Sequence, residues 1–154
     1  MYPGMVTRSF IFTATFDERQ MWTLEEALSH CQAHCREQLA QGARAPFLAL
    51  DVDIERIRKK RYRVQPRGSR PDDLSLDAQT QLNLSRQLTY TALYFEFEMA
   101  SLADALTYYQ ALCRKELARS PDASIWARDN DIENVRKELY CVLTADAWQE
   151  GEYP

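Results

Sequence analysis

Apolar residues recur at helical spacing in two places. Leu24, Ala27, Leu28, Cys31, Cys35 and Leu39 form one stripe, and Leu102, Ala105, Leu106, Tyr109, Cys113 and Leu117 form a second. Each stripe predicts an amphipathic helix. Thr23-x-x-Glu26 and Ser101-x-x-Asp104 carry a capping-box pattern and mark the expected starts. Gly42 with Pro46, and Pro121 in the second case, mark the expected ends. A different pattern precedes each helix. Residues 10–16 are aromatic and β-branched and predict a strand with Phe10, Phe12, Ala14 and Phe16 on one face. Residues 88–97 turn apolar on both faces towards their end, which predicts a strand covered on both sides.

The two stripes are one pattern repeated at an offset of 78 (99 − 21). Met21, Leu24, Ala27, Leu28, Gln32, Ala33, Cys35, Arg36, Leu39 and Ala40 meet identical residues there. Without a gap, the same offset pairs Asp51-x-Asp53-Ile54-Glu55 with Asp129-x-Asp131-Ile132-Glu133, Arg58-Lys59 with Arg136-Lys137, and Tyr62 with Tyr140. Residues 47–52 then read as a short strand, answered more weakly by 125–127. Residues 53–60 read as a single helical turn, and 62–64 and 139–143 as closing strands.

The expected fold is therefore α+β: two strand–helix–strand–strand halves, 7–64 and 85–142, packed with pseudo-twofold symmetry as a two-layer sandwich. One domain spans 1–154. Residues 65–84 join the halves as a loop, interrupted by Pro and Gly in 65–73 and with a marginal helix over 74–84. Residues 1–6 read as a loose arm, and 144–154 as an acidic tail whose Trp148 docks.

Composition narrows the class. Hydrophobic residues at 45% and charged residues at 27% suit a globular domain with a core and argue against wholesale disorder. No apolar run reaches the roughly 20 residues of a membrane span, and no basic-then-apolar leader opens the sequence. Cys31 and Cys35 stand one helical turn apart, a poor geometry for a bridge, so reduced thiols and a cytoplasmic location are expected. The formal net charge is −4, but residues 1–77 carry 12 Lys/Arg against 11 Asp/Glu and residues 78–154 carry 7 against 12.

Three groups of residues could carry chemistry. His30-Cys31-x-x-His34-Cys35 resembles a metal box, but the second half has Tyr108-Tyr109-x-x-Leu112-Cys113, so core cysteines with surface histidines are expected, and no metal. The two Asp-x-Asp-x-Glu runs suit a strand-to-helix junction with capping acids better than catalysis. The third group is peculiar to one half. Arg56, Arg58, Lys59, Lys60, Arg61 and Arg63, with Arg67 and Arg70, put eight cations within fifteen residues around Tyr62. Of these, Arg56, Lys60, Arg61 and Arg63 face Asn134, Glu138, Leu139 and Cys141 at the offset.

With no Gly-rich phosphate loop, nucleophile elbow or zinc spacing, the expectation is a non-enzymatic, cofactor-free binding or regulatory module with a protein partner. The alternatives are nucleic-acid binding through segment 56–70, where Arg would grip phosphate and Tyr62 would stack on a base, and a small ligand between the halves near Glu18 or Glu96.

Overall fold

Asp17 closes the first strand and opens the first helix. Its carboxylate accepts the Gln20 backbone N–H at 2.8 Å, and the Gln20 side chain accepts the Asp17 N–H at 3.0 Å. This reciprocal cap sets the helix start, six residues before the Thr23 box. Thr23 lies inside the helix and donates its hydroxyl to the Arg19 carbonyl. Asp17→Ala should destabilise the protein by about 1 kcal/mol, read as a shift in the urea midpoint with unchanged slope.

The computed structural model describes residues 11–66 and 88–151. Its elements are β1 (Ile11–Asp17), α1 (Glu18–Ala40), α2 (Ala45–Arg58), β2 (Arg63–Pro66), β3 (Leu88–Phe95), α3 (Glu96–Arg119) and α4 (Ala123–Gly151). The chain is thus mixed helix and sheet, as expected. The expected arm at 1–6, the loop residues beyond 66, the marginal helix at 74–84 and the side chain of Trp148 lie outside the described residues.

The three strands form one antiparallel sheet in the order β1–β3–β2. Ala14 faces Ala92, the residue 78 positions on, and the pairing runs from Ile11 with Phe95 to Asp17 with Thr89. Phe12, Ala14, Phe16, Ala92 and Tyr94 are buried against the helices. The other face is open: Ile11 is 55% exposed, Leu93 59% and Phe95 40%. The strand over 88–95 is therefore covered on one side only, which corrects the expectation of two covered faces.

Two more expectations are corrected. Residues 47–52 are not a strand, nor are 125–127; both lie within helices, α2 and α4. Short apolar runs fit helix and strand equally, and here the helical stripe decides. Ile54 and Ile57 are fully buried, with Phe47 and Leu50 packed on the same core, at spacings of three and four. Ile132, Val135 and Leu139 continue the equivalent stripe in α4.

Residues 139–143 are likewise helix rather than a closing strand. At the offset Leu139 meets Arg61, a difference that favours continuation of α4 where α2 stops. A helix extended through Arg61 would turn a cation onto the core stripe, whereas Leu139 is buried there. Among the described residues, the halves read strand–helix–helix–strand and strand–helix–helix.

α1 ends where Gly42 takes φ +98, a left-handed conformation that returns the Ala43 N–H to the Gln38 carbonyl. Asp122 caps α4 through the backbone N–H of Ser124 at 2.8 Å.

Candidate functional site

The helix pairs are tied by the same contact in both halves. Gln32, almost fully buried, donates to Asp51 at 3.0 Å and Glu55 at 2.7 Å and accepts from Arg58 at 2.6 Å. Arg36 adds ion pairs to both acids. Gln110 donates to Glu133 at 2.8 Å and accepts from Arg136, and Arg114 reaches Asp129 at 3.2 Å. The Asp-x-Asp-x-Glu runs therefore lock α1 to α2 and α3 to α4 from mid-helix; they are not caps at a strand-to-helix junction. The unbroken identity of Gln32 and Gln110 at the offset was the sequence signal for this clamp.

The basic segment is divided by the fold. Arg58 is forked onto Glu25 at 2.8 and 3.1 Å. Lys59 pairs with Glu55 at 3.6 Å. Arg56 lies over the Phe97 ring, 5.4 Å from its centroid. Arg61 is exposed, and Arg63 is exposed opposite Thr91 on the open face of the sheet. Arg67 and Arg70 lie outside the described residues.

Lys60 turns inward. Its ammonium donates to the Leu93 carbonyl at 2.7 Å and to Glu98 Oε1 at 2.9 Å, and it lies over the Tyr94 ring. Glu98 is fully buried; Oε1 also accepts the Phe95 N–H at the start of α3, and Oε2 has no partner. The Tyr62 hydroxyl hydrogen-bonds that of Tyr94. Burial is the main cause that raises the pKa of both phenols above the ordinary value, so both stay protonated. Sequence reasoning placed Lys60 and Tyr62 on a surface patch. Two half-specific columns carried the contrary signal: Lys60 faces Glu138 at the offset, and Glu98 faces Gln20.

Beside this pair lies a cavity of about 580 Å³, walled by α1 through Glu18, Trp22, Glu25, Glu26 and His30 and closed by Arg58, Lys60, Tyr62 and Tyr90. Glu18, singled out from the sequence, lines it; Glu96 does not. Trp22 is 66% exposed on its wall. A second cavity of about 590 Å³ lies among Ala103, Arg136, Tyr140 and Leu143.

The histidines and cysteines separate. His30 stacks on Tyr109 with ring centroids 4.8 Å apart, and His34 stacks on Tyr108 at 4.7 Å. Cys31, Cys35 and Cys113 are buried free thiols. Among the described residues no group of three or more His, Cys, Asp or Glu could hold a metal ion. Burial, then the neighbouring Cys35, pushes the Cys31 thiol up to about 12. Burial also raises Cys35 and Cys113.

At pH 8 a thiol reagent should label exposed Cys141 in a fast phase. Cys31 should react roughly a thousandfold more slowly than an ordinary thiol until the fold opens. The folded Cys31 pKa lies above the ordinary 9.0, so its contribution to stability is intact below pH 9 and is lost as pH rises towards 12.

Among the described residues no helix is long and apolar enough to cross a membrane. No family model, curated protein or solved structure matches the chain.

Proposed function

We propose that the chain is two copies of one strand–helix–helix unit about a pseudo-twofold axis, and that it works as a non-enzymatic module that binds a protein partner on the open face of its sheet. One observation carries the functional reading. Ile11 and Phe95 are neighbours across β1 and β3, Leu93 follows on the same face, and Phe97 stacks on Phe95 at 5.7 Å. All four are exposed large apolar side chains. A contiguous apolar surface of this kind is characteristic of contact sites.

The partner's chemistry follows from the rim. Arg56 stands beside Phe97, Arg63 on the face itself and Arg61 nearby in the chain, so the complementary ligand is a protein segment with apolar anchors flanked by acidic side chains. Phosphate recognition has less support. Arg58, Lys59 and Lys60 spend their charge on Glu25, Glu55 and Glu98, which reduces the field that a polyanion would need.

Selection of displayed random peptides tests the reading. The selected pool should be rich in aromatic or aliphatic residues next to Asp or Glu. It should lose about tenfold or more in affinity for Leu93→Lys and keep its affinity for Leu48→Lys, an exposed leucine on α2. Peptides indifferent to Leu93→Lys, or salt-sensitive saturation by short RNA or DNA without peptide binding, would overturn it.

A further inference from the structure

The cavity beside α1 has a composition that the open sheet face does not share. Its walls are aromatic, through Trp22, Tyr62 and Tyr90, and acidic, through Glu18, Glu25 and Glu26. Its two cations are already neutralised: Arg58 by its fork onto Glu25, Lys60 by buried Glu98 behind it. Glu26 accepts the Tyr109 hydroxyl at 2.7 Å. Counting Glu98, four carboxylates surround two basic groups, and the local field favours a cation.

Comparison at the offset shows what is special to this cavity. Arg58 and Tyr62 recur as Arg136 and Tyr140, and both line the second cavity. Trp22, Glu25 and Lys60 do not recur; Ala100, Ala103 and Glu138 stand there. The shared residues serve packing common to both halves. The residues confined to one half supply the indole face, while the acids Glu18 and Glu26 recur as Glu96 and Asp104. A tryptophan left mostly exposed on a cavity wall forgoes burial that its size would otherwise gain, and its π-face is the best side-chain surface for a cation.

We propose that this cavity is a binding site for an organic ammonium ion with an apolar body. The onium group sits against the indole of Trp22 and the phenols of Tyr62 and Tyr90, with Glu18 and Glu26 as counter-charges. The volume suits a small organic molecule. The phenol of Tyr62 is held protonated by burial, so it offers a neutral ring and hydroxyl to the ligand.

Calorimetric titration of the full chain with benzyltrimethylammonium tests the site, with benzoate and benzyl alcohol as charge-reversed and neutral controls. Binding of the ammonium compound alone is expected. It should weaken about tenfold in Trp22→Ala and several-fold in Glu18→Gln, the range that cation–π and exposed charge contacts supply. Trp22→Ala should fold normally, since the equivalent column already holds Ala100; Glu18→Gln alters an exposed residue and tests the charge independently. No heat with the ammonium compound, equal affinity for benzoate, or binding unchanged in both variants would overturn the proposal. None of these outcomes bears on the open face of the sheet, whose leucine variant is read separately.

Discussion

Lys60→Met will destabilise the protein by about 3 kcal/mol, a fall in Tm of roughly 6–12 °C for a domain of this size. The side chain of Lys60 is 18% exposed and that of Glu98 is not exposed at all. Removing the ammonium leaves a carboxylate in the core with one backbone N–H for company, its second oxygen already unpartnered. Desolvation of that anion, previously offset by the ion pair, then falls wholly on the folded state. The double replacement Lys60→Met with Glu98→Leu should recover most of the loss, because both charges leave together. Glu138→Met, at the matching column on half-buried α4 surface, should change stability by less than about 0.5 kcal/mol. Urea denaturation of the unaltered chain and the three variants reads all three comparisons. A small cost for Lys60→Met would mean that water reaches Glu98.

Leu24→Ala and Leu102→Ala will each cost about 3 kcal/mol, and the two costs will agree within about 1 kcal/mol. Both leucines are essentially unexposed, on the stripes of α1 and α3. Each helix packs against its own partner helix and against the other half: α1 meets α2, α3 and α4, and α3 meets α4, α1 and α2. Truncation opens a cavity lined by rigid neighbours in either place, so loss of transfer energy and loss of contact add in the same way. Thermal or urea unfolding measures the pair. Costs differing several-fold would show that the two helices are packed differently despite their matching sequences, and would count against equivalent halves.

The long-helix stripes, the two strand positions and the end of α1 at Gly42 were legible in the sequence because each rests on local pattern. The starts of α1 and α3 were not. Thr23 and Ser101 offer plausible capping boxes, but Asp17 with Gln20 forms a better-placed box directly after the strand, and Glu98 serves the equivalent turn without a capping side chain at Phe95. α2 and α4 were hidden by short apolar runs; the buried spacing of Ile54 with Ile57, and of Ile132, Val135 and Leu139, reveals them once the partner helices are in place. The division of the basic segment was beyond any local reading. Whether a cation in 56–63 faces water or a buried acid depends on Glu98, 38 residues beyond Lys60, and only the fold brings them together. The cavity was foreshadowed by Glu18 alone. Its aromatic wall joins α1, the turn after α2 and β3, which no single stretch contains.

The central claim, that the open face of the sheet is the contact surface, is tested most directly by mapping a selected peptide with amide chemical shifts. Uniformly labelled protein would be titrated with one peptide from the displayed pool. The largest shifts are expected at Ile11, Thr13 and Thr15 on β1, Thr91 to Phe97 across β3 and the start of α3, and Arg63 on β2. Shifts centred on α2 and α4, with the strand amides unmoved, would contradict it.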